Sequence, residues 1–184
     1  AGSLEPGRGA LAGQLAAVVP YFLNGGTALG VDRGDVLFPL ADVPRRWVVL
    51  IVPPFGVSTR VAYQWWDEWN VDHHAAPATH GRAPARIRGL DVPDIELRND
   101  LEAAVDVRQP AIGRLVRKLR ASGAAYAAMS GSGSAVFGLF ESRRRAEAAV
   151  RALGRAAKAA LTSAVGRKAF ARSSRPLTDY SRSH

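Results

Sequence analysis

Apolar positions along the chain fall into two kinds of pattern, and they change over at Trp47. Before it, short apolar runs at residues 21–23, 27–31 and 35–40 predict strands, with Gly25-Gly26 and Arg33-Gly34 as the turns between them. Such a meander buries too little surface to fold alone and needs a larger sheet to join. Residues 10–18 have the composition of the end of a helix, and residues 1–9 show no periodicity. Residues 41–46 read as a connector. From Trp47 to Val52 every residue is apolar, as expected of a central strand, and Pro53-Pro54 ends it.

After the prolines the period lengthens. Ser58 or Thr59 can cap a helix whose stripe is Ala62, Trp65, Trp66 and Trp69. Residues 72–92 are rich in Pro, His, Gly and Arg and read as a surface loop. Asn99 with Glu102 three residues on has the spacing of a capping box. Pro110 suits the first turn of the next helix, Ile112, Leu115, Val116 and Leu119 form its buried stripe, and Gly123 ends it. Residues 125–129 and 135–140 are strand-like and are joined by Ser130-Gly131-Ser132-Gly133-Ser134. A long amphipathic helix is expected over 142–161 and a last strand over 168–172. From Trp47 the order is strand, helices, strand, strand, helix, strand. That predicts an α+β domain: a ferredoxin-like split βαβ sandwich with an antiparallel sheet and helices on one face.

Composition narrows the function classes. The longest apolar run, residues 47–55, is strand-sized and contains two prolines, so no membrane-spanning segment is expected. The first residues lack a charged-then-apolar leader pattern, and the absence of methionine at position 1 leaves room for sequence upstream. The chain has no cysteine, which excludes a disulfide framework and a thiolate metal site and fits a cytoplasmic location. The net charge is +9. Residues 141–184 hold eleven lysines and arginines against three acids, so nearly all the excess lies there. Arg144, Arg151, Arg155 and Lys158 recur at helical steps opposite an alanine-rich face, the pattern of a solvated basic side; polyanion binding is the alternative.

Three stretches, in this order, resemble the 4-diphosphocytidyl-2-C-methyl-D-erythritol kinase family, a branch of the GHMP kinases. They are Val19-Pro20-Tyr21-Phe22-Leu23-Asn24-Gly25-Gly26-Thr27-Ala28-Leu29-Gly30 with Arg33-Gly34-Asp35, then Phe55-Gly56-Val57-Ser58-Thr59 with Ala62-Tyr63, then Ser130 to Phe137. Asn99-Asp100-Leu101-Glu102 is also typical of the family. The resemblance runs from about Leu11 to Tyr180. It implies the last strands of a ribosomal-S5-like amino-terminal domain over 1–44, a GHMP kinase carboxy-terminal domain over 45–172 and a tail over 173–184. It also implies a soluble cytoplasmic enzyme of isoprenoid biosynthesis. Such an enzyme moves the γ-phosphate of ATP, accompanied by Mg²⁺, to the 2-hydroxyl of a cytidine-diphosphate-linked methylerythritol.

Phosphoryl transfer needs positioning and charge stabilisation. The family's main phosphate loop, a glycine-rich element at a helix N-terminus, has no counterpart in these 184 residues, nor does its early lysine and asparagine motif. The resemblance places Val18 where the family has its catalytic aspartate, and valine cannot accept a proton. It makes Ser130, Gly131, Ser132, Gly133 and Ser134 the nucleotide-side glycine loop, for which a plain hairpin turn is the alternative. It makes Tyr63 the ring that stacks on cytosine, with Thr59 one helical turn earlier in the same pocket; core packing is the alternative for Tyr63. Trp65, Trp66 and Trp69 suit core or interface better than ligand. Asp72, His73, His74 and His80 lack the one-face spacing of a metal site. The expected function is therefore a fragment of such a kinase, inactive alone. The alternatives are a basic nucleic-acid-binding module, or a non-catalytic subunit that self-associates or pairs with a missing amino-terminal half.

Overall fold

A computed structural model describes residues 19–31, 36–73, 98–154 and 158–174. The elements are α1 (Val19–Asn24), β1 (Ala28–Val31), β2 (Val36–Pro39), β3 (Trp47–Val52), α2 (Thr59–His73), α3 (Asp100–Arg108), α4 (Pro110–Ala121), β4 (Tyr126–Met129), β5 (Val136–Phe140), α5 (Arg143–Leu153), β6 (Lys158–Ser163) and α6 (Arg167–Ser173). They divide into two compact units, one spanning Arg46–Ala164 and the other formed by the segments on either side of it.

The Arg46–Ala164 unit is the ferredoxin-like sandwich. Its sheet runs β4-β5-β3-β6, with every neighbouring pair antiparallel. The first and third strands of the unit lie side by side at the centre, as a split βαβ arrangement requires. β3 is continuously apolar because it has a strand on each side: Val49 faces Gly138 of β5 and Leu161 of β6. Val49 and Ile51 are fully buried and alternate with half-buried Val48 and Leu50. The buried face meets the helices. Val105 of α3, Ile112, Val116 and Leu119 of α4, and Ala146, Ala149 and Leu153 of α5 close over Val49, Ile51, Met129, Val136 and Phe140 in one core. The α4 stripe thus falls as its spacing predicts, with Leu115 half-buried at the edge.

Helix ends follow local chemistry. Ser58 caps α2, its Oγ accepting from the Val61 amide at 3.3 Å. Ser142 caps α5 in the same way through Arg145. Arg143 sits at 5.3 Å from the centre of the Trp47 ring and reaches Glu147 at 2.8 Å, so the basic face of α5 is partly paired within itself.

The carboxy-terminal reading needs two corrections. The helix expected over 142–161 ends at Leu153, where Gly154 adopts φ 63° and stops it. Lys158–Ser163 is then a strand, with Ala159, Leu161 and Ser163 half-buried and the alternate residues exposed. Alanine fits either period, so the composition let the helical pattern run on. The last strand is accordingly this one. Residues 168–172, expected as that strand, lie in helix α6.

The other unit holds α1, the β1–β2 hairpin and α6. In the hairpin, Ala28 pairs with Pro39 and Val31 with Val36. Among the described residues this is a two-stranded sheet by itself, without the larger sheet expected to receive it. Residues 21–23, expected as a strand, are helical. Pro20 falls in the first turn of α1, where its missing N–H costs nothing, and the Gly25 amide closes the last turn on the Tyr21 carbonyl at 2.9 Å. Gly25 and Gly26 have φ of 60° and 71°. A Cβ on Gly25 would lie 2.4 Å from the Phe170 ring, and one on Gly26 2.5 Å from Asp42 Oδ1. The glycine pair is thus fixed by backbone and packing together.

Arg167 ties this unit together. Its amide donates to Asp42 Oδ2 at 2.7 Å and its Nη2 to the Thr27 carbonyl at 2.7 Å, while Asp42 Oδ1 accepts from the Thr27 amide at 3.1 Å. Residues 165–172, assigned from the sequence to the second segment, therefore group with the first unit.

Candidate functional site

The glycine loop is the point on which the motifs of the Arg46–Ala164 unit converge. Residues 130–134 join β4 to β5, the Ser130 amide donating to Ala135 O at 2.8 Å and the Gly133 amide to Ser130 O at 3.0 Å. Gly131 and Gly133 have φ of 55° and 91°, conformations that a Cβ disfavours. A Cβ on Gly133 would also come 2.8 Å from Met129 Sδ. Among the described residues nothing lies within 4 Å of a would-be Cβ on Gly131, which leaves the loop open to approach there.

Four side chains hold this loop. Asn99, just before α3, donates through Nδ2 to Met129 O at 3.0 Å and to Gly131 O at 2.8 Å. Glu102, in the first turn of α3, accepts from the Met129 amide at 2.7 Å. Ser134 is buried and its Oγ donates to the Phe55 carbonyl. Thr59, the first residue of α2, meets Ser132 Oγ through its own hydroxyl at 3.0 Å. The sequence reading of Asn99 as a helix cap holds, since Oδ1 accepts from the Leu101 amide at 3.1 Å. It misses the two bonds from Nδ2 and the bond that Glu102 accepts from the Met129 amide of β4. The Asn-x-x-Glu spacing was the signal. Its second meaning depends on a segment thirty residues downstream.

Tyr63 lies on α2 one turn beyond Thr59, on the same helical face, and is 54% exposed. That exposure removes the core-packing alternative for it. Ala62, by contrast, is fully buried, Trp65 packs against the core half-buried, and Trp66 and Trp69 are half-buried. Thr59, Tyr63 and the glycine loop thus share one unit, and Thr59 touches the loop. Val18 lies outside the described residues, as do His74 and His80. Among the described residues no three His, Asp or Glu side chains gather as a metal would require. No helix among them is long and apolar enough to cross a membrane. Pro53, Pro54, Phe55, Ala111 and Leu115, with Arg114 and Lys118, line a mainly apolar cleft of about 190 Å³.

Residues 92–159 match the family model for the carboxy-terminal domain of GHMP kinases. The chain carries a GHMP kinase carboxy-terminal domain. The matched part of that family is its carboxy-terminal domain, and the β4-β5-β3-β6 sheet is the fold it carries. Among curated relatives, a 4-diphosphocytidyl-2-C-methyl-D-erythritol kinase of Moorella thermoacetica is 42% identical over 74% of this chain and 49% of its own length. One of Geobacter metallireducens is 40% identical over 76% of this chain and 47% of its own. A crystal structure of 4-(cytidine 5'-diphospho)-2C-methyl-D-erythritol kinase superposes with a TM-score of 0.65 at 30% identity, covering 86% of this chain and 57% of that one. L. major mevalonate kinase shares the fold with a TM-score of 0.58 at 17% identity, over 82% of this chain and 53% of its own. The chain spans about half the length of the relatives it matches. These likenesses give no support to a nucleic-acid-binding module or a non-catalytic subunit.

Proposed function

We propose that this GHMP kinase chain supplies the acceptor side and the second glycine loop of a kinase acting on 4-diphosphocytidyl-2-C-methyl-D-erythritol, at its 2-hydroxyl. The observation that carries the reading is the 3.0 Å contact between Thr59 and Ser132, which joins two motifs 73 residues apart in sequence. It sets the helix bearing exposed Tyr63 directly beside the glycine turn. Tyr63 offers a ring face to a pyrimidine, and stacking of this kind contributes about 1–3 kcal/mol per base.

ATP is the phosphoryl donor that the family implies. The loop suits the flank of a phosphate chain: Gly131 has no side chain, and among the described residues nothing blocks close approach to its backbone. The Mg²⁺ that travels with ATP would screen the charge building up on the transferred phosphoryl group. The described residues gather no acidic cluster for it, so its ligands on this reading are the phosphates and groups outside them. With valine at position 18 and no family phosphate loop in the sequence, the isolated chain binds its acceptor but does not turn it over. A positioned base contributes about 10²–10⁴-fold in rate, and none is present at that position.

The test has two arms. ATP-dependent phosphorylation of the cytidine-linked substrate by this chain alone is expected at background, and turnover above it refutes the inactive half. Calorimetric titration with CDP is expected to show binding that Tyr63→Ala weakens by roughly 5- to 100-fold. Equal affinities for the two proteins would refute the acceptor assignment.

A further inference from the structure

The four attachments of the glycine loop are not equivalent. Asn99 and Glu102 grip its shoulders, at Met129 and the Gly131 carbonyl. Ser134 anchors its exit to Phe55. Next to the open Gly131, Ser132 is held by Thr59. Thr59 is also the one attachment that comes from the helix carrying Tyr63.

Thr59 is exposed and Ser132 half-buried, so water competes for both hydroxyls. A hydrogen bond in that setting adds little, and its strength grows when solvent is excluded. Tyr63 is one turn away on the same face of α2. A nucleotide base resting on that ring covers the first turn of the helix and the hydroxyl pair with it.

We infer that the Thr59–Ser132 hydroxyl pair is a latch, through which a cytidine nucleotide held at Tyr63 orders the tip of the glycine loop. This rests on the acceptor reading of Tyr63 given above. Thr59 and Ser132 act as positioning residues: occupancy of the acceptor subsite fixes the loop that flanks the donor phosphates. Binding of one substrate is thereby coupled to readiness for the other, with the dependence reciprocal at equilibrium.

Amide hydrogen exchange on the whole chain, with and without saturating CDP, tests this. The reporters are the Ser130 and Gly133 amides, which close the turn. CDP is expected to slow their exchange by roughly two- to tenfold, the range of one net hydrogen bond. Thr59→Ser, which keeps the hydroxyl, should retain the effect. Thr59→Val and Ser132→Ala, each compared at a CDP concentration that the titration shows to saturate that variant, should lose it, with the Val49 amide of the sheet centre unchanged as a control for global stability. CDP binding without slowed exchange, or slowing that persists in Thr59→Val, overturns the latch and leaves the acceptor site standing. Failure of CDP to bind the unmodified chain overturns both, and is told apart from the other outcomes by the titration itself.

Discussion

Asn99→Asp separates two roles that one side chain combines. Aspartate keeps Oδ1, so it still accepts from the Leu101 amide and still places negative charge at the start of α3. It has no donor, so the bonds to Met129 O at 3.0 Å and Gly131 O at 2.8 Å are lost. If Asn99 were a cap alone, the change would cost nothing. If it also braces the loop, two hydrogen bonds at about 0.5–1.5 kcal/mol each are removed. Asn99 is half-buried and the Gly131 end of the network is exposed, so the lower half of that range applies to one of the two. A carboxylate facing two carbonyls adds repulsion. The expected loss is about 1–3 kcal/mol, read as a lower urea midpoint at unchanged slope. Asn99→Ala removes the cap as well and should cost about 1 kcal/mol more. An Asn99→Asp protein within about 0.3 kcal/mol of the unmodified chain would refute the brace and return the residue to a simple cap.

Other perturbations probe the two units separately. Leu119→Ala empties a fully buried site under the sheet and should destabilise the Arg46–Ala164 unit by about 2–5 kcal/mol in urea unfolding. Gly25→Ala forces a Cβ into the Phe170 ring at φ 60°; it should cost at least about 1–2 kcal/mol, and exchange of the α6 amides should report it. Glu68→Gln breaks the 2.7 Å pair with Arg108, but both side chains are about half exposed, so a change below about 1 kcal/mol is expected in the same unfolding assay.

Periodicity disclosed what a single segment can determine. β3 reads as a central strand because burial on both faces leaves no polar position, and α4 because Ile112, Val116 and Leu119 return to one side. The errors fall where local pattern is ambiguous. Alanine at 156, 157, 159 and 160 satisfies either period, and only Gly154 marks the end of α5. Residues 21–23 are apolar enough for a strand, but Pro20 and the turn closed by Gly25 make them helical. Phe170 in α6 looks like a strand residue until its seat against Gly25 is known.

The site shows the same division more sharply. Which residues to look at was readable: Thr59, Tyr63, Asn99 and the loop from Ser130 to Ser134 all stand in motifs. What they do to one another was not, because Thr59 and Ser132 meet only after three helices and a strand have folded between them. The two glycine motifs make the point in opposite directions. At Gly25 and Gly26 a side chain is forbidden by its neighbours, so the motif is explained by packing within its own unit and needs no ligand. At Gly131 the neighbours forbid nothing; φ alone asks for glycine, and the space beyond it is open. The turn is braced by four side chains, one of them at Ser132, yet among the described residues it is open at Gly131. That combination is the support for the proposed phosphate-side reading of residues 130–134 over the plain turn their sequence equally allows.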